Sequence, residues 1–414
     1  MTVLAILLSG VLAGLLSDPD GVDIFDSPGI DGVLLSGGGG GVAIAVLMAV
    51  AIAMTLRRRV VLVGLTTVAA VVAGASALVM PSDAVSVLAG GVLLGCTAVQ
   101  ATRRIQQAVL IASFFGGLLC AGAVAALEYE NVPRRYADYL TEAELGTPII
   151  VPVLSALVVV ATVLAARYPG GETPPRAADF RTAVAGLLVP LSGLLLGMLF
   201  VHNLFQGSSG FEQRWYLGIL VVPVLFVSAA LLPGRGGMPV LAGTAVLLTS
   251  TTTVGAAIDV GDRVWVLGLV AVTAAAVAAG MALGLRWGRA WIGIVTLASV
   301  CVTALFASPP LDNVHYVASL VIFPAASAYL YVSCLSGAPT ATTLGLAVPV
   351  AITVPMVITY GWTAYTPLTS IDTSTLSPSS DSVVSTGGAF ATVVLAGLGM
   401  ALLLRRLQGL ASEE

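Results

Sequence analysis

The sequence predicts an all-α polytopic membrane protein of about fourteen transmembrane helices, and three observations predict it. The 414-residue chain is 58% hydrophobic and 9% charged, with a mean hydropathy of +1.03, far from the composition of soluble domains. Apolar runs of the roughly 20 residues needed to cross a hydrocarbon core recur along the whole chain, with only short polar breaks. The runs are continuous rather than alternating, which favours helices over a transmembrane barrel.

The first span, 2–17, lacks a basic n-region and a small-residue cleavage site, so it reads as a spanning helix rather than a cleaved leader. The second, 33–54, starts in "SGGGGG", Ser36 to Gly41. Glycine costs about 1 kcal/mol against alanine in a helix, so this end is expected to be either a close helix crossing or a frayed, mobile gate. Spans 60–80, 84–102, 107–127 and 148–166 complete a first group of six. "RYPGGETPPRAADFR", 167–181, carries three prolines and mixed charge and reads as a linker between bundles. Then come 182–203, 215–232, 238–258, 264–284, 290–307, 315–335, 341–362 and 386–404, the last preceded by a Ser/Thr-rich loop at 364–386. Abundant glycine and alanine within the spans favour close helix contacts.

All basic residues are arginine. With a cytoplasmic N-terminus, thirteen of the seventeen fall in inner loops and only Arg134, Arg135, Arg214 and Arg263 in outer ones, as the positive-inside rule requires. Both termini are therefore expected in the cytoplasm, with the chain in the cell's inner membrane. The cluster Arg57, Arg58 and Arg59 is first of all a topology anchor. The pI of about 5.2 describes an acidic outer face and points to no nucleic-acid partner.

Cys96, Cys120, Cys301 and Cys334 show no CxxC or metal spacing, and the two histidines are far apart in sequence, so no metal or cofactor is expected. There is no phosphate-cradling G-x-x-x-x-G-K-[ST] loop and no lysine at all. No acidic or basic residue lies in the middle of any span, which counts against a proton relay. The nearest candidates for a proton site are Asp18, where the first helix emerges, and His315 at an outer helix end. Trp215, Trp265, Trp291 and Trp362 sit at span ends, as in a membrane aromatic belt.

A basic cluster after the second span, followed by "VVLVGL" and a helix of small residues, resembles the major facilitator superfamily. Its loop motif runs roughly Gly-x-x-x-Asp-Arg-x-Gly-Arg-Arg. Arg58, Arg59 and the run Val60 to Gly64 fit its end, while the aspartate and both glycines are missing, with Ala53 and Leu56 in two of those places. "LGLRWGRAWIG", Leu283 to Gly293, fits a second copy through Arg286, Gly288 and Arg289. Its position after the tenth span resembles the fourteen-helix, drug-exporter branch, in which an extra helix pair separates two six-helix bundles. A rival second copy, "LPGRGGMPVLAG" at Leu232 to Gly243, makes the last two spans the additions instead.

On the first alignment the resemblance implies an N-terminal bundle at 1–166, a linker at 167–181, an extra pair at 182–237 and a C-terminal bundle at 238–414. It also implies an inner gate at Arg58, Arg59, Arg286 and Arg289, and a cavity lined by spans 1, 4, 9 and 12. The polar residues those spans supply are Thr97, Gln100, Thr249, Thr252, Ser327 and Tyr329. Gln100 is the sharper signal, because an amide within a span needs a partner or water; threonines in a helix often bond their own backbone instead.

The function expected is secondary transport, in the export direction, of a small, mostly neutral or apolar solute by alternating access, without enzymatic activity. Two alternatives stay open. One is a transport-inactive scaffold for partner proteins of a cell-envelope complex. The other is a polyprenyl-phosphate-dependent glycosyltransferase, suggested by the five aspartates of "SDPDGVDIFDSPGIDG", Ser17 to Gly32.

Overall fold

A computed structural model describes residues 2–17, 37–79, 83–128, 149–167, 179–205, 221–253, 263–306, 312–361 and 380–412. Among them there is no strand. The helices are α1 (Thr2–Leu15), α2 (Val42–Thr55, entered through a π-helical turn, Gly37–Gly41), α3 (Arg59–Val79), α4 (Asp83–Gln100), α5 (Arg104–Glu128) and α6 (Ile150–Ala166). There follow α7 (Phe180–Phe205), α8 (Val221–Leu231), α9 (Gly237–Ser250), α10 (Arg263–Trp287) and α11 (Ala290–Thr303). The last three are α12 (Asp312–Val317 and Phe323–Ser333, joined by a π-helical turn, Ala318–Ile322), α13 (Pro339–Gly361) and α14 (Ser380–Ser412). Each overlaps one of the apolar segments read from the sequence, with ends that differ by several residues in places. The glycine run is helical and packs on α4 and α7, with Gly40 and Gly41 buried, so the close crossing holds there rather than fraying.

Six helices among the described residues are long and apolar enough to cross a membrane. Their outer faces are apolar as well: Val60 is 84% exposed, Trp265 67% and Leu402 65%. A surface of this kind requires a hydrocarbon surrounding, and the chain is a multi-pass membrane protein.

Local chemistry sets the helix ends. At the start of α5, Gln106 reaches back so that its Oε1 accepts the Arg103 backbone N–H at 3.0 Å, the glutamine arm of a capping box. Gly288 follows α10 at φ +54°, the left-handed position in which glycine ends a helix without steric cost. Past the end of α9, the hydroxyls of Thr251, Thr252 and Thr253 donate to the carbonyls of Leu248, Thr249 and Ser250 at 2.7–2.9 Å, satisfying acceptors that the helix itself leaves free.

The packing has an internal pattern. In the first six helices, α1 packs on α4, α5 and α6, α2 on α4, and α3 on α4 and α6. Adding eight to each number gives α9 on α12, α13 and α14, α10 on α12, and α11 on α12 and α14, and all of these pack as well. Within each set a further offset of three exchanges α1·α5 with α4·α2 and α3·α4 with α6·α1. The two sets meet along two seams, α5 against α10 and α2 against α13, which the offset of eight interchanges. The helices α7 and α8 have no counterpart: α7 packs on α8, α2 and α13, and α8 on α9 and α14.

Candidate functional site

Between the two sets of six, the interior is closed by aromatic side chains. Phe323, Ser327 and Tyr331 recur every fourth residue on α12 and therefore share one face. Phe115 of α5 lies across that face, with its ring centroid 6.1 Å from Phe323 and 6.0 Å from Tyr331. The Ser327 hydroxyl, one turn from each flanking ring, is fully buried and has no hydrogen-bond partner among the described residues. Orphaned polar groups of this kind are uncommon in folded proteins. Tyr331 is held by donation of its hydroxyl to the Gly345 carbonyl of α13 at 2.9 Å. The π-helical turn Ala318–Ile322 immediately precedes this stripe, and such turns recur at functional sites because they offset one part of a helix against the next. On the other side of Phe115, Phe114 borders a void of only about 10 Å³ with Ser17, Ala49, Gly91 and Ala347.

The other residues singled out in the sequence fall in separate places. The buried Thr97 hydroxyl bonds back to the Leu93 carbonyl. The Gln100 amide Nε2 donates to Thr66 Oγ1 of α3 at 3.1 Å, so its partner is protein. Thr249 is buried and its hydroxyl bonds to the Ala245 carbonyl at 2.8 Å, with the thiol of Cys301 on the same oxygen at 3.7 Å. Thr252 is spent on the carbonyl of Thr249. Tyr329 is a clamp at the α10–α11 turn, where its hydroxyl accepts the Arg289 N–H at 3.3 Å and donates to the Arg289 carbonyl at 3.2 Å. Ser327 is therefore the one member of the set at the closed centre with an unused hydroxyl.

The arginines divide in the same way. Arg59 Nη2 donates to the Ala165 carbonyl at 2.8 Å and so ties the start of α3 to the last turn of α6. Arg57 Nη2 bonds back to the Met54 carbonyl in the last turn of α2 at 3.3 Å. Arg58, Arg286 and Arg289 are exposed. His315, buried at 4% exposure, sits with Nδ1 at 3.1 Å from Thr303 Oγ1, joining the start of α12 to the end of α11. Asp18 and the aspartate-rich segment from 18 to 32 lie outside the described residues, as do Trp215 and Trp362. The four cysteines are free and buried.

The sequence reading did not anticipate a cavity of about 660 Å³ on the flank of the bundle, well within the range of small-molecule sites. It lies between α1, α5 and α6 on one side and α10 on the other, bordered by Val11, Gly116, Val124, Leu157, Ala274 and Met281. None of the six polar cavity residues named from the sequence borders it. Leu7, Val153, Leu157 and Ala274 are exposed at its rim, so it opens sideways, towards lipid.

No protein-family model and no curated protein matches the chain. Solved structures similar to it over nearly its whole length include the following two. The crystal structure of the Major Facilitator Superfamily transporter FucP in the outward conformation is 13% identical, with a TM-score of 0.46, covering 96% of this chain and 97% of that one. The crystal structure of the human organic anion transporter MFSD10 (TETRAN) is 16% identical, with a TM-score of 0.41, covering 96% of this chain and 98% of that one. At TM-scores below 0.5 these are likenesses of outline, and function has to be reasoned from the chain's own packing.

Proposed function

We propose that the chain is a divergent, fourteen-helix member of the major facilitator superfamily: a secondary transporter that moves a small, mostly neutral or apolar solute by alternating access. The observation that carries this is the packing pattern, a repeat at an offset of eight helices with a second repeat at an offset of three nested inside it. Nested repeats of this kind are how many secondary transporters build two bundles that rock about a shared site. The bundles are then 1–166 and 238–414, with 182–237 as the inserted pair and 167–181 as the linker. Under the rival alignment α1·α5 would map onto α7·α11, which is not among the principal contacts. Export is the direction the resemblance implies, with both termini cytoplasmic and the protein in the inner membrane.

In this reading the conformation described is occluded. Ser327, with Tyr331 beside it and Phe115 as a movable cover, belongs to the solute site. Thr97, Gln100, Thr249, Thr252 and Tyr329 support the walls through the bonds given above. Arg59 acts at the inner gate by holding α3 to α6; Arg58, Arg286 and Arg289 act there as exposed charges.

A cysteine at position 327, in a background lacking the four native cysteines, tests the reading in proteoliposomes. It should react with a small water-soluble thiol reagent in at least one state, react faster when Phe115→Ala removes the cover, and change its reactivity when a transported solute is added. A closed centre is also what a transport-inactive scaffold would present. If position 327 stays unreactive under every gradient, with and without Phe115→Ala, while a loop cysteine at position 377 labels, the scaffold reading replaces the transporter.

A further inference from the structure

The two seams between the helix sets are equivalent by the offset of eight, yet they are finished differently. At the α2–α13 seam, α7 packs on both helices and makes its closest approaches at glycine. A Cβ on Gly186 would stand 2.6 Å from Val50 Cγ1 of α2, and one on Gly193 would fall on the Ala351 carbonyl oxygen of α13. The α5–α10 seam has no such helix among the described residues, and the 660 Å³ groove lies there instead. Along α5 its border runs from Val109 to Val124, which at a rise of 1.5 Å per residue is about 22 Å, most of a hydrocarbon core. Its wall is apolar; of the polar side chains on it, Ser113 is already bonded to the Leu110 carbonyl at 3.0 Å.

One end of this groove carries positive charge. Arg104 begins α5, a turn and a half before Val109, and its Nη2 lies 3.5 Å from where a Cβ on Gly288 would stand. Gly288 is flanked by Arg289 and follows Arg286 by two residues, so three exposed arginines, one from the start of α5, one from the end of α10 and one from the α10–α11 turn, lie at that end. No hydrogen bond or ion pair engages the Arg104 guanidinium among the described residues. Trp287 and Trp291, 57% and 62% exposed, stand beside them at the level where tryptophans meet lipid headgroups. Basic pockets between membrane helices bind anionic lipid headgroups, and guanidinium groups bind phosphate through paired, charge-assisted hydrogen bonds.

We infer that the α5–α10 seam is a binding site for an anionic glycerophospholipid of the bilayer, with an acyl chain in the groove bordered by Gly116 and Ala274 and the phosphate on Arg104, Arg286 and Arg289. The chain fills at this seam the place that α7 fills at the other. This inference does not depend on transport.

Native mass spectrometry of the detergent-purified full chain, titrated with phosphatidylglycerol and with phosphatidylcholine of identical chains, tests it. Phosphatidylglycerol should be retained about tenfold more tightly, and Arg104→Gln or Arg289→Gln should each remove most of that preference. Gly116→Leu, whose Cβ would meet nothing closer than Val277 Cγ1 at 3.9 Å, should fill the groove and weaken both lipids equally; Ala274→Phe, on the exposed rim, should do the same from the opposite wall. Equal retention of the two lipids by the unmodified chain overturns the inference. So does unchanged retention in both groove-filling variants when they elute as intact protein, or displacement of the lipid by inorganic phosphate alone.

Discussion

Arg58 and Arg59 are adjacent, identical in chemistry and indistinguishable as topology anchors, but their surroundings separate them. Arg59 donates from Nη2 to the Ala165 carbonyl, one residue before the end of α6. The last four carbonyls of a helix lack intrahelical donors, so this bond satisfies one of them and sets a cation against the negative end of the helix dipole. A hydrogen bond from a charged donor contributes about 1.5–3 kcal/mol. Arg59 is half-buried, and solvent competition reduces the net effect of such a contact to about 1 kcal/mol. Arg59→Gln should therefore destabilise the purified protein by about that much, a fall of about 2 °C in Tm or less for a chain of this size. Arg58→Gln, which breaks no hydrogen bond among the described residues, should leave Tm unchanged at equal expression. Thermal unfolding followed by tryptophan fluorescence in one detergent reads both. Equal shifts, or a larger shift for Arg58→Gln, would refute the assignment of the tie to Arg59.

Two further outcomes follow from named contacts. Gly193→Ala puts a methyl group onto the Ala351 carbonyl and should lower stability by about 1–3 kcal/mol through overpacking at the α7–α13 crossing; Gly387→Ala, with no atom within 4 Å, should stay within about 0.5 kcal/mol, and equal effects would mean that α7 is not docked as described. A double-mutant cycle of Gln100→Leu and Thr66→Val should return a coupling of about 0.6 kcal/mol, the usual size of a hydrogen bond between membrane helices; zero coupling would return Gln100 to a water-filled cavity.

The helices were legible because hydropathy reports directly on the cost of exposing a backbone to lipid, and that cost is paid span by span. The ends were less so. The span read as 386–404 runs on to Ser412, past Arg405 and Arg406, because arginine is a good helix former and nothing there stops the helix. The hydroxyls of Thr251, Thr252 and Thr253 cap the end of α9, a use that composition does not distinguish from lining a cavity. The stripe of Phe323, Ser327 and Tyr331 was visible as a four-residue spacing. What covers that face, the Phe115 ring beside Phe323 and Tyr331, comes from a helix about two hundred positions earlier. The flank groove had no sequence signature at all, since it is defined by one seam lacking a covering helix among the described residues.

That absence bears on how the halves move. If the two bundles rock about the centre, both seams must shear, and what fills each seam sets the resistance. At α2–α13 the filler is a helix of the same chain, docked through glycines whose Cβ atoms would collide with Val50 and Ala351. Packed cores of that kind switch between discrete arrangements rather than deforming smoothly. At α5–α10 the wall is an open apolar groove, and a lipid chain there can slide or exchange without breaking a protein contact. Helix α7 would thus make the two equivalent seams mechanically unequal, with α2–α13 as the stiff side and α5–α10 as the compliant one. Phe115 projects from α5, the helix on the compliant side, so an opening that begins at α5–α10 would draw this cover off Ser327 before the α7-bound seam has to move.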